Sequence, residues 1–435
     1  MLYSPMDTVL YYIKRLIPRS LFRLAQPPYH FLLATFGAYR YRFPSKEITV
    51  IGVTGTKGKS SVVELLNALF EADGKRTALA STIRFKIGEK SERNLYKMTM
   101  PGRFFMQKFL RDAVNAGCEV AIVEMTSEGV VQFRHRHIHL DALVFTNLSP
   151  EHIESHGSFE KYVAAKLKLK TTLEESKKRP RYMIANRDDD HGAAFLSAAV
   201  ERAIGYGLDD LELYTLNKDD ISLVIDGTTI RVPLVGKFNV YNTLAALTCA
   251  QAFGVPLKTA IGALAHLPPI RGRVERFVSP KGAEKKITAI VDYAHTPDSL
   301  EKLYQAFEKE TKICVLGNTG GGRDVWKRPE MGRIAEQYCE HVFLTNEDPY
   351  DEDPEKIIAD MARGIDDESK LTTVMDRRTA IRSALERAPN QSVVLISGKG
   401  TDPYIMGPHN TKTPWSDAKV VQQEMAALYG GGIKK

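Results

Sequence analysis

The run Thr54-Gly55-Thr56-Lys57-Gly58-Lys59-Ser60-Ser61 is the stretch whose residue types and spacing point most directly to chemistry. It follows a β-branched apolar run over 48–53 and precedes a helical pattern carrying Val62, Val63, Leu65, Leu66, Leu69 and Phe70. A strand, a glycine-rich turn and a helix in that order make a phosphate cradle. Backbone N–H groups of the turn and of the helix N-terminus face the anion, Lys59 adds a point charge, and the Ser60 hydroxyl can ligate Mg2+. The spacing departs from the common phosphate-loop pattern, because Val53 stands at the first glycine position and Gly52 lies one residue too early. The turn over 55–60 is nonetheless kept.

A second constellation lies downstream. A strand pattern over 119–125 ends in Glu124-Met125-Thr126-Ser127, and an acid at a strand end beside a phosphate loop is a usual seat for a Mg2+-binding carboxylate. The next strand pattern, 141–147, runs into Ser149-Pro150-Glu151-His152, and Lys166 follows within Tyr162-Val163-Ala164-Ala165-Lys166. Taken alone, Glu124 is as readily an ordinary strand-end acid. Lys166 is equally a solvated helix lysine beside Lys161, Lys168 and Lys170.

The elements that must position these groups follow from length and pattern. A chain of 435 residues with 43% hydrophobic content can bury two cores. Strands and helices alternate from 47 to 267, with further strands over 76–81 and 182–186, helices over 102–116, 159–173 and 240–253, and a hairpin insert over 211–234 turning at Asp226-Gly227. Pro268-Pro269 reads as a linker. The alternation resumes with strands over 287–292, 312–316, 341–345, 371–375 and 392–397, each of the polar clusters at their ends being a ligand position in an open α/β sheet. The expectation is therefore an α/β protein: a phosphate-loop ATPase domain with a parallel sheet over 47–267, a Rossmann-like α/β domain over 268–435, and an extension over 1–46.

That extension interleaves tyrosine and phenylalanine with Lys14, Arg15, Arg19, Arg23, Arg40 and Arg42, and Pro18, Pro27 and Pro28 are expected to cut it into helical pieces over 8–17 and 30–38. It is either a packed extension of the core or a peripheral anchor at the inner membrane face. The chain shows no cleavable signal pattern and no apolar run long enough to span a bilayer. Cys118, Cys249, Cys314 and Cys339 are far apart without metal-ligand spacing, which suits buried thiols of the cytoplasm. The net charge of +7 favours anionic partners without choosing among them.

The strings TGTKGKSS, VEMTSEGVVQFRHR, FTNLSPEHIESHGSFEKYVAAKLKL, GKFNVYNTLAA, GRVE, VDYAHTPDSLEKLY, GGRDVWKRPEMG and LISGKG stand in one order along residues 47–435. Together they resemble the Mur ligase family, most nearly its branch that adds the third residue of the peptidoglycan stem peptide. The resemblance implies an ATP-dependent acid–amino-acid ligase acting on a muramyl-peptide-type cell-wall precursor. ATP would phosphorylate the acceptor carboxylate, and the amino group of the incoming amino acid would then displace phosphate from the acyl phosphate.

It also implies residue roles. Gly55, Thr56, Lys57, Gly58, Lys59, Ser60 and Ser61 would hold the ATP phosphates, and Asn242, Arg273, Asp292 and His295 would contact the nucleotide. Arg323, Asp324 and Lys327 would close on the nucleotide and the incoming amino acid, with Arg323 among the catalytic groups. Ser60, Glu124 and His152 would serve Mg2+, and Lys166 would be carbamylated, turning a cation into a metal-supporting carboxylate. Thr99, Pro101, Thr126, Gln132 and Arg134 would meet the muramyl peptide.

The departures fall on recognition. Where the branch has Asp-Asn-Pro-Arg, whose arginine grips the side-chain carboxylate of diaminopimelate, this chain reads Glu347-Asp348-Pro349-Tyr350. Gly398-Lys399-Gly400-Thr401-Asp402 replaces Gly-Lys-Gly-His-Glu, Met100 the second threonine of Thr-Thr-Pro, Gly322 an aspartate and Glu128 a histidine. Tyrosine cannot reproduce a bidentate guanidinium clamp. Lysine, ornithine or a smaller amino acid is thus expected rather than diaminopimelate, unless another cation takes that role. Residues 1–46 are also too few for the uridine-nucleotide domain of the branch, which leaves a UDP or a lipid carrier open.

Two other readings stand beside this one. One is a related ligase with another acceptor, like folylpolyglutamate synthetase or a pseudomurein peptide ligase; the other is a non-catalytic scaffold of the same fold. Tyr162 to Lys166 and Lys327-Arg328-Pro329 favour the muramyl branch, and intact Lys59, Glu124, His152 and Lys166 argue against a scaffold. The expected partners are small molecules, with no nucleic acid and a monomeric chain.

Overall fold

The computed structural model describes residues 19–151, 156–322 and 325–430. The helical piece expected over 8–17, and His152, Arg323 and Asp324, lie outside the described residues.

The first sheet comprises β1 (Thr49–Thr54), β2 (Thr77–Ala80), β3 (Arg84–Ile87), β4 (Lys90–Arg93), β5 (Val120–Glu124), β6 (Ala142–Phe145), β7 (Tyr182–Asn186) and β8 (Arg202–Tyr206). Their order is β4-β3-β2-β5-β1-β6-β7-β8, parallel except for the β2–β3–β4 meander. Strands covered on both faces read as continuous apolar runs rather than alternation, and β1, β5 and β6 are buried nearly throughout. Helices Lys59–Ala72 and Lys237–Ala252 pack one face. Helices Arg103–Asn115 and Phe159–Glu174 pack the other.

The insert is a three-stranded antiparallel sheet of β9 (Leu213–Leu216), β10 (Ile221–Ile225) and β11 (Thr228–Val232), with Asp226 and Gly227 at positive φ in the turn. The hairpin expectation covers β10 and β11. It misses β9, whose Leu213 and Leu216 stay exposed and give no burial signal.

The second sheet holds β12 (Glu275–Val278), β13 (Thr288–Val291), β14 (Lys312–Leu316), β15 (His341–Leu344), β16 (Leu371–Thr373) and β17 (Val393–Ile396) in the order β12-β13-β17-β14-β15-β16. The five expected strands are present in parallel pairing. The antiparallel edge strand β12 is additional and only half-buried.

Two expectations are corrected. Pro27 and Pro28 do not divide the N-terminal segment, since one helix, Arg19–Arg40, runs through both. They deny it two N–H donors, and tertiary packing offsets the loss. Ala34 and Ala38 are buried, Phe36 meets Phe104 at 5.7 Å between ring centroids, and Thr35 Oγ1 lies 3.0 Å from His137 Nε2. The cysteines are not all thiols either: Cys314 in β14 and Cys339 form a disulfide with Cα atoms 6.1 Å apart, while Cys118 and Cys249 are free and buried. Sequence separation hid this pair, because the chain leaves β14 and returns beside it only after the helix Lys327–Tyr338. Among the described residues, no helix is long and apolar enough to cross a membrane.

Candidate active site

β1 delivers the loop over 55–58 to the helix Lys59–Ala72. Gly58 holds φ +85°, and a Cβ there would collide with the Asn242 side chain. Only glycine lets the loop lie this close to its support. Lys59 Nζ folds back to donate to the Gly55 and Thr56 carbonyls at 3.0 and 2.9 Å. Burial depresses its pKa although Glu124 and Glu151 favour the ammonium. A phosphate would supply the missing counter-charge.

Ser60 Oγ donates to Glu124 Oε2 at 3.0 Å, and Arg273 reaches Ser60 Oγ at 3.2 Å from the second half of the chain. Glu124 is buried at the end of β5 and accepts from the Thr82 backbone N–H at 2.9 Å; the Thr82 hydroxyl in turn lies 2.7 Å from that of Thr99. Among the described residues no three His, Cys, Asp or Glu side chains converge. The set is instead one of hard oxygens, a serine hydroxyl and a carboxylate, which fits Mg2+ rather than a thiophilic metal.

Lys166 is 2% exposed. Its Nζ donates to the Gly55 carbonyl at 2.8 Å and sits 5.1 Å from the centre of the Tyr162 ring, whose hydroxyl lies 2.9 Å from Thr56 Oγ1. Burial first, and then the Lys59 charge, push its pKa well below that of an ordinary lysine. The solvated-helix reading of this lysine is therefore excluded.

Glu151 ties the two halves together, since its Oε1 lies 3.0 Å from Lys57 Nζ and 3.1 Å from His295 Nε2. Burial lowers the His295 pKa, followed by the Lys57 charge. Asp292 accepts from the Val274 and Ala294 N–H groups at 2.8 and 2.7 Å, and burial raises its carboxyl. Asn242 donates to Asn239 at 2.9 Å, and Ser61 and Lys327 line the same cleft.

Across the cleft, Lys399 is fully buried and donates to both Asp348 oxygens at 2.8 Å and to the Tyr404 carbonyl at 2.6 Å. Lys97 arrives from the first half of the chain, 2.5 Å from Asp348 Oδ2, 3.2 Å from Asp402 Oδ2 and 5.7 Å from the centre of the Tyr350 ring. Its burial opposes the charge, but Asp402 and Asp348 prevail and raise its pKa. Arg93 adds a second strap, donating to the Thr401 and Asp402 carbonyls at 2.7 and 3.2 Å. Glu347 accepts from Thr319 at 3.0 Å, Gly398 lies against the Glu347 carboxylate, and the Pro349 carbonyl crowds Gly320.

On the acceptor side, Thr126 caps the helix Ser127–Val131 by accepting from Gly129 N at 3.1 Å. Arg134 donates to Gln132 Oε1 at 2.7 Å and to the Met100 carbonyl, between Thr99 and Pro101. Thr82, Lys97, Arg93 and Glu151 escape sequence reasoning as site residues. Only Glu151 carried a signal, as the acid beside His152.

A cleft of about 1300 Å3 joins the phosphate loop, Thr99, Arg134, Arg273, Lys327 and Tyr350. A phosphate loop on a parallel sheet, facing a second α/β sheet across a wide polar cleft, defines a nucleotide-binding enzyme class that assembles its site between two sheets. The description "Mur ligase middle domain" matches residues 53–250, and "Mur ligase, glutamate ligase domain" matches residues 272–400. The chain is 36% identical over 427 residues to the UDP-N-acetylmuramyl-tripeptide synthetase of Roseiflexus sp. (strain RS-1), covering 92% of this chain and 83% of that protein. Among solved structures it is similar to a UDP-N-acetylmuramoyl-L-alanyl-D-glutamate–2,6-diaminopimelate ligase, with TM-score 0.60, 28% identity and coverage of 90% and 82%. The folylpolyglutamate synthase of Mycobacterium tuberculosis shares the fold, with TM-score 0.68, 18% identity and coverage of 85% and 92%. The chain belongs to the Mur ligase family.

Proposed function

We propose that the chain is an ATP-dependent ligase that joins an amino acid to the carboxylate of a muramyl-peptide-type cell-wall precursor through an acyl phosphate. The carrying observation is that Lys59, the Ser60–Glu124 contact and buried Lys166 gather at one wall of a cleft whose opposite wall is the Lys97–Asp348–Asp402 cluster. ATP binding falls to residues 47–267, amino-acid recognition to 268–435, and 1–46 form an extension.

Lys59 and the backbone of 55–60 hold the transferring phosphates, and Arg273 orients Ser60 from the other side of the cleft. Ser60, Glu124, His152 and a carbamate of Lys166 would hold Mg2+, which would supply positive charge to offset that of the phosphate oxygens. The depressed Lys166 pKa favours the neutral amine, the form that captures carbon dioxide. Thr99, Thr126 and Arg134 orient the acceptor carboxylate.

Lys97 is already engaged by Asp348 and Asp402, so it offers no clamp for a second carboxylate beside Tyr350. This supports lysine, ornithine or a smaller amino acid over diaminopimelate. The outward stripe Tyr29, Leu32, Phe36 and Tyr39, each more than half exposed, supports a peripheral membrane contact of the extension.

The test is phosphate release with product mass spectrometry over a panel of acceptors and amino acids. Muramyl-dipeptide acceptors with lysine or ornithine should turn over. Turnover with folates alone, or with no acceptor, overturns the reading.

A further inference from the structure

Resting on that reading, we propose that Thr82 is a positioning residue. It ties the metal-side carboxylate of Glu124 to the hydroxyl of Thr99, so that one chain of hydrogen bonds sets both sides of the cleft.

Thr82 meets Glu124 twice. Its backbone N–H donates to Oε2 at 2.9 Å, and its hydroxyl lies 3.2 Å from each carboxylate oxygen. The same hydroxyl lies 2.7 Å from that of Thr99. A carboxylate only accepts, and a hydroxyl has one proton to give. The Thr82 proton therefore goes to Glu124, and the Thr99 proton to Thr82. Ser60 Oγ donates to the same Oε2 at 3.0 Å, so the chain runs Thr99, Thr82, Glu124 and ends on the group beside the phosphate loop.

Two braces hold this chain. Asn94 is buried, and its side-chain amide donates to the Ser81 carbonyl at 2.9 Å and to the Met98 carbonyl at 3.0 Å. One side chain thus clasps the residue before Thr82 to the residue before Thr99. Its Oδ1 accepts from the Tyr96 N–H at 2.9 Å, which closes the loop between them. Arg84 pairs with both Glu64 oxygens, at 2.9 and 2.6 Å, and Glu64 belongs to the helix Lys59–Ala72 that carries Ser60. The turn around Thr82 is thereby fixed to the same helix as the phosphate loop.

Distance gives the chain its chemical use. Phosphoryl transfer to a carboxylate needs the reacting atoms about 3–3.5 Å apart and aligned, and a misplacement of about 1 Å costs on the order of 100-fold. Thr82 and Thr99 both line the cleft, with Glu124 on the metal and phosphate side. A partner that orients a metal ligand from behind is also part of the metal site. Thr82 does this for Glu124 and, through its second contact, makes the metal side answer to residue 99.

The experiment titrates Mn2+ into the protein with a non-hydrolysable ATP analogue, read by electron paramagnetic resonance, with turnover measured in parallel. The variants are Thr82→Val, Thr82→Ser, Thr99→Val and Thr82→Val/Thr99→Val; valine removes the hydroxyl and keeps the backbone N–H. Thr82→Val should weaken Mn2+ binding about tenfold and lower kcat about tenfold at saturating Mg2+, the scale for losing an outer-shell partner. KM for ATP should hold, and Thr82→Ser should stay near wild type on every readout. Thr99→Val should weaken Mn2+ binding a few-fold in the wild-type background and not at all beside Thr82→Val, because its effect passes through that hydroxyl. Unchanged Mn2+ binding in Thr82→Val overturns the link, as does a Thr82→Ser protein as weak as Thr82→Val. An effect of Thr99→Val that is absent or equal in both backgrounds overturns it too. The link and the ligase reading fail separately. Wild-type Mn2+ binding and turnover in every variant remove the link alone. The expected binding pattern without phosphate release on any acceptor removes the ligase alone, and a wild type that binds no Mn2+ with the analogue removes both.

Discussion

The two walls of the cleft are built in different ways. The phosphate-loop wall is nearly contiguous in sequence, as Gly55 to Ser60 carry the turn, the lysine and the hydroxyl within six residues, and distant segments only back them up with Glu124, Lys166 and Asn242. The recognition wall has no contiguous core. Lys97, Asp348, Tyr350, Lys399 and Asp402 come from three loops and form one charge network only where the two sheets face each other. Chemistry common to a family can reside in a local motif, whereas specificity is assembled by tertiary contacts that can drift one residue at a time.

The sharpest way to break this contrast is at the loop. Lys59→Ala should lower kcat by about 100- to 1000-fold, the scale for losing a preorganised charge at a transferring group. Glu124→Ala should do the same and blunt the response to Mg2+. Phosphate release by variants with unchanged circular dichroism is the measurement, and full activity would sink the assignment.

Lys166→Ala should lose about 100-fold, with partial rescue by a short carboxylic acid. Wild-type activity should depend on bicarbonate. The sign in pH follows from the depressed pKa: the amine is neutral below the ordinary lysine value of about 10.4, and acidifying through its folded pKa protonates it and releases the carbamate. Activity independent of bicarbonate at every pH would remove the modification.

On the recognition wall the effects should be smaller and confined to one substrate. Lys97→Ala should raise KM for the amino acid about tenfold, the scale of one partly buried charge pair, while KM for ATP stays constant. A change in KM for ATP of the same size would mean that Lys97 acts by holding the two sheets together. Smallest of all, Leu32→Ser/Phe36→Ser should reduce co-sedimentation with anionic liposomes a few-fold and leave turnover on a soluble acceptor unchanged, as expected for side chains that enter the interface only in part. Equal partitioning would reduce the stripe to ordinary surface.

The sequence by itself determined the parts written in periodicity and in short-range spacing. The buried parallel strands read directly as apolar runs, the helices between them as 3.6-residue patterns, and the phosphate loop as a turn flanked by both. Glu124 and Lys166 were legible as candidates and the family resemblance implied one shared metal site, but not the contacts that seat them at the loop, Glu124 on Ser60 and Lys166 on the Gly55 carbonyl. Only the tertiary structure decided the rest. The helix Arg19–Arg40 survives Pro27 and Pro28 because its seat on the helix Arg103–Asn115 outweighs local propensity. Cys314 meets Cys339 because the helix Lys327–Tyr338 brings the chain back beside β14. Lys97 joins the far wall of the cleft because Asp348 and Asp402 hold its charge there. Contacts between residues hundreds of positions apart leave no trace in local pattern, since their free energy exists only once both surfaces are folded and face each other.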